Sequence, residues 1–522
     1  MKKINRALIS VFDKNGVVDL AKLLVEMEVK ILSTGGTAKL LRQMGVGIED
    51  VSDYTAFPEM LDGRVKTLHP RVHGGILAIR DNAAHMDQAA ENAVEMIDLV
   101  VSNLYPFEAT VARPDVDLAD AIENIDIGGP AMIRAAAKNY LDVAVLTSLD
   151  QYTQFMAEMK VNKGAVSETT RFSLAKAAFA HTANYDRSVS GYLDSLDAEL
   201  VDDFPTTLDL RYQRVQQLRY GENPHQSAAF YRTSVQPDSC AAWAEQLNGQ
   251  PLSYNNLLDL EAAIEIVKDF SDPTCTLIKH NNPCGIATNT DLGQAFLQAL
   301  DCDRTSAFGS IVGFNRQVNL PTADIVRNEA RSGIKIEAII APSYTDKALK
   351  TLSRVKTRRI LATGGSEIDR SAKQMRHLTG GVLIQDRDLA DVSATDLQFV
   401  SQRPATEAEI RSLLFAWKSC KQVKSNAILL ATGTKTVGIG AGQMSRVDAV
   451  IIAVRKAGER INGAVLASDA YFPFPDGVET AGQAGVSAII QPGGSVNDAS
   501  VIEMANRYNM AMAFTDIRHF KH

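Results

Sequence analysis

Lys279 and His280 lie side by side at the end of an apolar, β-branched run, residues 275–278. Pro283 and Gly285 follow, so the pattern predicts a strand that ends at the pair and a turn at the proline and glycine. Histidine exchanges a proton near neutral pH, and a neighbouring lysine can stabilise negative charge on oxygen, so the pair could perform acid–base catalysis. Taken alone, the pair is better explained by a solvated lysine and a turn histidine. The rest of the chain favours the catalytic interpretation.

A glycine-rich turn at residues 33–37 follows a predicted strand, 29–32, and precedes a helical segment that starts at Ala38. This order of strand, turn and helix directs backbone N–H groups and the helix dipole at an anion. The hydroxyl groups of the serine and the two threonines in the turn would add donors. The lysine of a Walker loop is missing, so a phosphate site and a simple tight turn are both open interpretations.

Arg64 and Lys66 form a second candidate, because only one residue separates the two cations. In an extended segment both side chains point to the same side, which suits an anionic ligand. His69 and His73 are four residues apart, as metal ligands on a helix are. However, Pro70 and a following glycine argue against a helix, and the glutamate of an HExxH motif is absent. The sequence therefore predicts no metal site here.

The elements that must position these groups alternate between strands and helices. Apolar runs predict strands at 7–11, 29–32, 98–102 and 143–146, with helical spacing between them. This order predicts a doubly wound parallel sheet that binds ligands at the carboxyl ends of its strands. Polar clusters occur at such positions at 33–37, 63–70, 103–107 and 124–130.

The remainder of the chain predicts a second domain. Residues 150–195 show helical spacing, and the acidic stretch 194–210 predicts a boundary region. Beyond it, the turn-rich segments 219–226 and 252–259 carry many hydrogen-bond donors, which suit a polar, planar ligand with a phosphate. A strand–helix pattern then recurs at a separation of roughly 150 to 160 residues. It predicts two related α/β subdomains that face one another with a ligand between them.

The bulk composition is that of an ordinary globular protein. Its 522 residues exceed what one hydrophobic core supports, which predicts two or three domains. The net charge of −8, with both signs interspersed, argues against a nucleic-acid-binding protein. Five scattered cysteines without a CxxC pair indicate a reduced, cytosolic protein. No apolar run is long enough to cross a membrane.

Motifs in a fixed order run nearly from end to end of the chain, at 33–37, 64–70, 103–106, 126–129, 219–221, 223–226, 279–280, 425–426, 440–443, 445–446 and 468–470. Together they resemble one family, the bifunctional purine-biosynthesis proteins that join AICAR transformylase to IMP cyclohydrolase. Accidental similarity does not explain so many motifs in family order.

The resemblance implies a methylglyoxal-synthase-like IMP cyclohydrolase domain over residues 1–199, with a helical linker from about 150. It implies an AICAR transformylase domain over 200–522, made of two related cytidine-deaminase-like α/β subdomains, about 200–365 and 366–522. The second domain would transfer a formyl group from 10-formyltetrahydrofolate to AICAR, giving FAICAR and tetrahydrofolate. The first would close FAICAR to IMP with loss of water. A cytoplasmic homodimer is also implied, with small-molecule substrates, no catalytic metal and room for a structural monovalent cation.

The resemblance also implies roles for individual residues. His280 would be the acid/base of formyl transfer, with Lys279 beside the developing oxyanion. The catalytic groups of ring closure would be Lys66, Tyr105, Asp126 and Lys138. The substrate-binding residues of ring closure would be Ser33, Thr34, Gly35, Gly36, Thr37, Arg64 and Thr67. The nucleotide and folate sites of formyl transfer would be formed by Arg219, Tyr220, Asn426, Arg446, Tyr471, Asp476, Ser495 and Arg518. Cys284, Glu337 and Tyr471 occupy positions at which the family also has a small residue, an aspartate and a phenylalanine, respectively.

Two other classes of protein compete with this assignment. A zinc nucleoside deaminase would share the implied fold of the second domain, but it needs an HxE motif and a PCxxC pair. Pro283 and Cys284 are followed by no second cysteine at that spacing. A non-catalytic nucleotide sensor would not need intact Lys279–His280 and Lys66–Lys138 sets. The sequence therefore favours the bifunctional enzyme.

Overall fold

The computed structural model describes residues 1–196, 204–234, 236, 239–365, 367 and 369–522. The chain divides into two compact units, Met1–Leu208 and Asp209–His522. The expected boundary between residues 199 and 200 lies outside the described residues, as does part of the acidic stretch 194–210. Ser366, where the last subdomain is expected to begin, lies outside them too. These boundaries stay predictions.

The first unit is built from a parallel sheet and the helices that cover it. Its strands are β1 (Lys2–Lys3), β2 (Arg6–Val11), β3 (Lys30–Ser33), β4 (Glu49–Asp50), β5 (Leu99–Asn103), β6 (Ala144–Leu146) and β7 (Ala165–Val166). Its helices are α1 (Val17–Glu26), α2 (Gly35–Gln43), α3 (Val51–Thr55), α4 (Pro70–Leu77), α5 (Ala83–Glu91), α6 (Phe107–Val111), α7 (Leu118–Glu123), α8 (Gly128–Lys138), α9 (Asp150–Val161) and α10 (Glu168–Ser195). A short 3-10 helix spans Leu61–Gly63.

The sheet of the first unit has five strands in the order β4-β3-β2-β5-β6, and each neighbouring pair is parallel. β2, β5 and β6 are buried along nearly their whole length, as strands with helices on both faces are. The chain moves outward from β2 in both directions, so a crevice forms at the carboxyl ends of β2, β3 and β5. The predicted doubly wound parallel sheet is confirmed.

The segment around His69 is helical, and the expectation that Pro70 prevents a helix was wrong. α4 begins at Pro70. The N–H at the first position of a helix has no partner within the helix, so a proline, which lacks this group, loses no hydrogen bond there. Its fixed φ angle also suits the first turn. The Nδ1 atom of His69 accepts a hydrogen bond from the N–H of Arg71 at 3.1 Å and caps the helix. A glycine suits position 74 of α4 because there is little space for a side chain: a Cβ atom there would lie 3.2 Å from Val94. The proline therefore starts this helix.

The second unit contains a large mixed sheet and two separate hairpins. Its strands are β8 (Gln213–Leu218), β9 (Ala228–Arg232), β10 (Glu245–Asn248), β11 (Thr274–Lys279), β12 (Asn282–Thr288), β13 (Ser310–Phe314), β14 (Ile336–Ala341), β15 (Arg359–Ala362), β16 (Lys373–Leu378), β17 (Gly381–Asp386), β18 (Gln398–Phe399), β19 (Ile428–Thr432), β20 (Lys435–Gly440), β21 (Val465–Ser468), β22 (Ala488–Gln491) and β23 (Ala511–Phe514). Its helices are α11 (Tyr254–Lys268), α12 (Leu292–Leu300), α13 (Leu320–Arg331), α14 (Asp346–Leu352), α15 (Glu407–Cys420), α16 (Arg446–Ala457), α17 (Asp476–Ala484) and α18 (Asp498–Arg507).

One pattern of strand pairings occurs twice in the 12-stranded sheet. In the first run, β11 is antiparallel to β12 and β13, β13 to β15 are parallel, and β10 is antiparallel to β15. In the second run, β19 to β23 and β18 repeat these pairings in the same order and sense. The order of strand pairings therefore repeats within the sheet. The division into two related subdomains, and the cytidine-deaminase likeness of each, stay predictions.

The two runs meet where β12 pairs with β20, between Ala287 and Lys435. At this junction the hydroxyl of Thr436 serves both backbone groups of Ile286. It accepts a hydrogen bond from the N–H at 2.9 Å and donates one to the carbonyl at 3.1 Å. A threonine side chain thus replaces part of the backbone ladder, and the sheet continues from one run into the other.

Helices cover both faces of this sheet. α11 and α15 contribute Leu260 and Trp417 to one apolar core that spans both runs. α12 to α14 and α16 to α18 form two further cores on the opposite face. Successive strand residues alternate between the faces, as Ile339 and Ile340 of β14 do. The junction between the runs is therefore held by a shared core as well as by the sheet.

The hairpins β8–β9 and β16–β17 form their own two-stranded sheets. They carry exposed apolar side chains, among them Val215, Tyr231, Leu378 and Leu383. Among the described residues, no helix is long and apolar enough to span a membrane.

Candidate active sites

A cavity of about 700 Å³ opens at the carboxyl ends of β2, β3 and β5 in the first unit. Its size is typical of pockets that hold small molecules. Most of the residues expected to serve ring closure line it, namely Thr34, Gly36, Thr37, Arg64, Lys66, Thr67, Tyr105 and Asp126. Lys14, Asn103 and Glu123 line it as well.

The first turn of α2 lies between two lysines of this cavity. A Cβ atom on Gly35 would lie 3.7 Å from Nζ of Lys66, and one on Gly36 would lie 3.9 Å from Nζ of Lys14. The first N–H groups of a helix have no partner within it. At the start of α2 the side chain of Thr34 makes no capping hydrogen bond to them. These N–H groups, the helix dipole and the two ammonium groups converge on a space that suits an anion such as a phosphate.

Two hydroxyl groups of the glycine-rich turn hold its backbone. Ser33 is fully buried, and its Oγ donates to the carbonyl of Ile9 at 2.8 Å. Oγ1 of Thr37 accepts from the N–H of Val11 at 3.2 Å and donates to the Val11 carbonyl at 2.9 Å. These bonds fix the start of α2 against β2. The two hydroxyls therefore position the backbone donors of the anion site.

Lys14 is a cavity residue that the sequence analysis did not single out. It lies in the turn after β2, where its Nζ donates to the carbonyl of Phe12 at 3.0 Å. Oδ1 of Asn103, at the end of β5, accepts from the N–H of Asp13 at 3.0 Å and holds the same turn. The signal was present in the sequence, because this turn follows a buried strand of the same sheet as the glycine-rich turn.

Asp126 lies between the cavity and the protein interior. Its Oδ1 accepts a hydrogen bond from the N–H of Gly129 at 2.8 Å, and its own N–H donates to the hydroxyl of Tyr185 at 2.6 Å. Burial raises the pKa of the Asp126 carboxyl group, although the N–H groups of Gly129 and Tyr105 and the charge of Lys66 act in the opposite direction. A carboxyl group with a raised pKa beside a lysine is suited to moving a proton during catalysis.

Arg64 and Glu123 form an ion pair beside this cavity. Nε of Arg64 donates to Oε1 of Glu123 at 3.4 Å, and Nη2 donates to Oε2. These bonds hold the pKa of Glu123 below its usual range. Arg64 has helical backbone angles, so the expectation of an extended segment was wrong at this residue. Arg64 and Lys66 nevertheless both line the cavity, and an exposed pair of this kind is weak enough to yield to a ligand phosphate.

Tyr105 and Thr67 complete the wall of the cavity. The ring of Tyr105 packs edge-on against Phe12, with 5.5 Å between ring centroids, and keeps an exposed side. Oγ1 of Thr67 would lie 3.0 Å from a Cβ atom on Gly128, so the start of α8 approaches this hydroxyl closely.

Lys138 does not line this cavity. It is the last residue of α8, and its side chain is exposed. At a rise of 1.5 Å per residue, the helix places Lys138 about 15 Å from Gly128 at the cavity end. Its role in ring closure stays a prediction.

In the second unit, Lys279 and His280 lie at the tip of the β11–β12 hairpin. His280 and Asn281 form a two-residue turn with φ angles of 53° and 59°, as in a type I′ hairpin turn. Pro283 and Gly285 belong to β12, so the turn predicted at the proline and glycine was wrong. Glycine is needed inside this strand because α12 packs directly against it.

Asp259 on α11 holds the hairpin turn, and the sequence analysis did not single it out. Its Oδ1 accepts a hydrogen bond from the N–H of Asn281 at 2.7 Å. Burial raises the pKa of the Asp259 carboxyl group, while the N–H groups of Asn281 and His280 and the neighbouring Lys279 act against that rise. Non-glycine residues rarely adopt left-handed backbone angles. The carboxylate therefore stabilises a turn that would otherwise be unfavourable.

Lys279 is held beside the loop at residues 306–309. Its Nζ donates to the carbonyl of Phe308 at 2.9 Å and would lie 3.1 Å from a Cβ atom on Gly309. The ammonium group therefore has a fixed position next to the histidine.

A hydrogen bond joins this hairpin to the second run of strands. Oδ1 of Asn282, the first residue of β12, accepts from the N–H of Lys424 at 3.1 Å. Two residues further on, Nδ2 of Asn426 donates to the carbonyl of Gln443 at 2.9 Å. The structure thus connects the Lys279–His280 turn with the segment that carries Asn426.

Arg446 is 6% exposed and bonded inside the protein. Its guanidinium donates to Oδ1 of Asn426 and to the carbonyl of Ala427, both at 2.9 Å. It also pairs with the fully buried Asp469, which accepts a hydrogen bond from the hydroxyl of Ser425. The geometry suits a role for Arg446 in which it holds Asn426 in place.

Three other expected binding residues, Tyr471, Asp476 and Ser495, lie in loops or at a helix start near the surface. Tyr471 is 42% exposed, and Asp476 begins α17. The loop of Ser495 is tied to that of Tyr471, because Nδ2 of Asn497 donates to the carbonyl of Pro473 at 2.6 Å. These three candidates therefore belong to one connected group of loops.

Arg518 and Arg219 each lie near an aromatic ring. The guanidinium of Arg518 is 4.4 Å from the ring centroid of Phe520, and the N–H of His519 donates to the carbonyl of Asp469 at 3.0 Å. The guanidinium of Arg219 is 5.5 Å from the ring centroid of Tyr220.

The loop that follows Tyr220 is attached to α11, the helix that carries Asp259. Nδ2 of Asn255, near the start of this helix, donates to the carbonyl of Glu222 at 3.3 Å. Arg219 and Tyr220 are thereby linked, through α11, to the turn at His280.

Glu337 and Cys284 have structural partners. Oε1 of Glu337 accepts from Asn256 and from Arg359, each at 3.3 Å. Burial raises the pKa of the Cys284 thiol to about 12, so it is not activated as a nucleophile. In the described part of the chain, no group of three or more His, Cys, Asp or Glu side chains could hold a metal ion.

Comparison with known proteins covers both units. A family model described as AICARFT/IMPCHase bienzyme matches residues 136–456, and one described as MGS-like domain matches residues 16–131. The bifunctional purine biosynthesis protein PurH of a Bacillus cereus strain is 47% identical over 522 residues, 100% of both chains. PurH of Acetivibrio thermocellus is 48% identical over 521 residues, 99% of this chain and 100% of that one.

A crystal structure of ForH is 35% identical and covers 37% of this chain and 98% of its own, with a TM-score of 0.35, too low to support a conclusion about the fold. The full-length identity to the PurH proteins and the bienzyme match over most of the chain agree. This chain belongs to the AICARFT/IMPCHase bienzyme family, the bifunctional purine biosynthesis proteins.

Proposed function

We propose that the two units divide the last two steps of IMP synthesis between them. The second unit transfers a formyl group from 10-formyltetrahydrofolate to AICAR, which gives FAICAR and tetrahydrofolate. The first unit closes FAICAR to IMP with loss of water. Family membership supports both activities. A separate cavity in the first unit supports the division, because it holds its own cations and its own proton-exchanging carboxyl group.

In formyl transfer, the 5-amino nitrogen of AICAR attacks the formyl carbon of the folate. An aromatic amine is a poor nucleophile, so its proton leaves as the new C–N bond forms. His280 takes this proton and delivers it to N10 of the folate as the bond between N10 and the formyl carbon breaks. Lys279, fixed beside the carbonyl of Phe308, stabilises the negative charge on the formyl oxygen.

Binding of AICAR and the folate is assigned to the loops around this turn. Asn426 contacts AICAR, and Arg446 acts mainly by holding Asn426. The other binding residues are Arg219, Tyr220, Tyr471, Asp476, Ser495 and Arg518.

In ring closure, the carboxamide nitrogen of FAICAR attacks the formyl carbon of the same molecule. Because the step is intramolecular, positioning supplies much of the rate. The start of α2, with Lys14 and Arg64, binds the phosphate. Asp126 moves a proton from the attacking nitrogen to the formyl oxygen, and this oxygen leaves as water with a second proton, from the formamide nitrogen, as the C=N bond of the ring forms. Lys66, which lies between α2 and Asp126, stabilises the charge on that oxygen.

The remaining ring-closure assignments concern five residues. Ser33 belongs to the phosphate site and holds its backbone through the carbonyl of Ile9. Thr34, Thr67 and Tyr105 line the cavity and contact the substrate. Lys138 is also assigned to this reaction, as the resemblance implies, although it does not line the cavity formed within one chain.

The observation that supports the formyl-transfer site most strongly is the bonded path between the hairpin and the second run of strands. Asp259 fixes the turn at His280, and Asn282 ties it to Lys424, two residues before Asn426. The groups that must act on one substrate are thereby held relative to one another.

The test is a formyl-transfer assay with AICAR and 10-formyltetrahydrofolate on His280→Ala. We expect tetrahydrofolate release by the wild type and its near-total loss in the variant, since a positioned acid/base contributes roughly 10²–10⁴-fold. His377→Ala, which removes an exposed histidine of β16, is the matched control and should keep wild-type activity. Wild-type formyl transfer by a folded His280→Ala protein would refute this assignment.

The protein is further proposed to be a cytoplasmic homodimer. The exposed apolar side chains of the β8–β9 and β16–β17 hairpins support the dimer, and the buried thiols of Cys275, Cys284, Cys302 and Cys420 fit a reducing compartment. A structural monovalent cation stays a prediction. Stoichiometric zinc in the purified protein would favour the rival deaminase assignment.

A further inference from the structure

α10 packs against α8 and β6 of the first unit, although the sequence analysis treated this region as a linker. It lies beyond residues 16–131, which the MGS-like family model matches. One face of α10 is buried, with Leu174, Ala178 and Tyr185 in the core of the unit. The helix is therefore part of the structure that surrounds the ring-closure cavity.

Tyr185 connects α10 to the loop before α8. It is 9% exposed, and its hydroxyl accepts a hydrogen bond from the N–H of Asp126 at 2.6 Å. The same hydroxyl donates to the carbonyl of Asn124 at 3.4 Å. Its ring packs edge-on against Phe107, with 6.3 Å between centroids. Burial raises the pKa of the phenol, so the hydroxyl stays protonated and can both accept and donate at neutral pH.

The two bonds hold the backbone that leads into Asp126, at the carbonyl of Asn124 and at the N–H of Asp126 itself. The carboxyl group of Asp126 accepts from the N–H of Gly129, in the first turn of α8. Tyr185 and Gly129 thus fix the backbone and the side chain of Asp126 independently. A carboxyl group that must reach one nitrogen and one oxygen of a closing ring depends on such fixing, because small displacements slow an intramolecular step strongly.

We propose that Tyr185 is a positioning residue of ring closure and acts through Asp126. α10 then belongs to the active site of the first unit. The inference rests on the proposed role of Asp126 and adds to it the residue that sets the orientation of this carboxyl group.

The test is Tyr185→Phe, which keeps the ring and removes the hydroxyl. We expect kcat for conversion of FAICAR to IMP to fall about tenfold, because the variant loses the two hydrogen bonds that align a catalytic group. KM for FAICAR should change by less than about twofold, because the phosphate site on α2 is untouched. Formyl transfer should match that of the wild type, and the thermal unfolding midpoint should fall by only about 2–4 °C, as the loss of such hydrogen bonds costs in a unit of this size.

Tyr192→Phe is the matched control. Tyr192 also lies on α10, and its ring packs against Phe107 with 5.6 Å between centroids. It should keep wild-type kcat and KM. An unchanged kcat in Tyr185→Phe would overturn the inference. An equal fall in kcat in Tyr192→Phe would overturn it too. The same holds if the fall in Tyr185→Phe comes with an equal fall in the rate of formyl transfer, or with loss of the folded protein.

Asp126→Asn separates this inference from the assignment of Asp126 itself. We expect that variant to lose ring closure, and the double variant Tyr185→Phe/Asp126→Asn to be no slower than Asp126→Asn alone. If Asp126→Asn closes FAICAR normally, the role assigned to Asp126 fails. If Asp126→Asn is inactive and Tyr185→Phe is unaffected, only the role of Tyr185 fails.

Discussion

The two candidate sites are built differently. In the first unit, cations and a helix start face an open cavity at the edge of a parallel sheet. In the second unit, the groups near the Lys279–His280 turn are largely bonded to other parts of the protein. Arg446 is buried and paired with Asp469, and Asp259 is bonded to the turn itself.

The difference follows from the sheets. Parallel strands place the loops that follow them along one edge, so a cavity forms there. The second site depends on a hairpin tip that must be aligned with another run of strands, and buried polar bonds provide that alignment. The first site should therefore be most sensitive to loss of groups that face its ligand, with a smaller effect from Tyr185, whereas the second should depend strongly on groups that contact no ligand.

Lys66→Ala gives the largest effect expected in the first unit. Ring closure should fall by about 10²–10⁴-fold, because the variant loses the charge that faces the leaving oxygen. Formyl transfer should be unchanged, as followed by tetrahydrofolate release. Lys39→Ala, which removes an exposed cation of α2, is the control. Equal loss of both reactions in Lys66→Ala would contradict the assignment of Lys66 to ring closure alone.

Asp469→Asn tests the dependence of the second site on a buried pair. Removing one partner leaves the guanidinium of Arg446 buried without its counter-charge, which costs about 3–5 kcal/mol in unfolding free energy. Chemical denaturation followed by two probes should show this loss in the second unit, together with weaker AICAR binding. Ring closure measured in the absence of denaturant should stay normal. A stability equal to that of the wild type would contradict the interpretation of Arg446 as an internal support.

Asp259→Ala should lower formyl transfer about tenfold, because the left-handed turn at His280 and Asn281 loses its carboxylate acceptor. The effect should fall on kcat, since Asp259 acts on the turn that carries His280. Asp324→Ala on α13 removes another helical carboxylate and serves as the control. Wild-type kcat in Asp259→Ala would mean that the turn forms without this bond.

The smallest effect concerns the pH dependence of stability at Asp126. Burial raises the pKa of its carboxyl group in the folded state. When a carboxyl group has a higher pKa in the folded state than in the unfolded state, its contribution to stability is complete at pH values below the unfolded-state pKa. This contribution is lost as pH rises through the folded-state pKa. Asp126→Asn has no carboxyl group to ionise at this position. The unfolding free energy of the variant minus that of the wild type should therefore increase as pH rises from the acid range to neutrality. A difference that stays constant, or that shrinks with pH, would show that burial does not dominate at this carboxyl group.

Much of the first unit could be predicted from the sequence. Buried parallel strands are continuous apolar runs, and the polar residues that follow them must lie at one edge. For this reason the sequence could place Lys66, Tyr105 and the turn at 33–37 at one edge of the sheet, where Lys66, Tyr105, Thr34, Gly36 and Thr37 line one cavity. The prediction at Pro70 was wrong, because the effect of a proline depends on whether it begins a helix or interrupts one.

The supporting residues could not be predicted in the same way. Asp259, Asp469 and Tyr185 act on residues 22, 23 and 59 positions away in the chain, and no local pattern marks such contacts. The His280 turn was missed for a related reason. Two non-glycine residues take left-handed angles there because Asp259, on a separate helix, stabilises them.

The central claim is that the two reactions belong to different units, and the most direct test is to supply FAICAR to the His280→Ala protein. The account predicts conversion to IMP at the wild-type rate, because every group assigned to ring closure lies within Met1–Leu208. A folded His280→Ala protein that fails to convert FAICAR to IMP would contradict it.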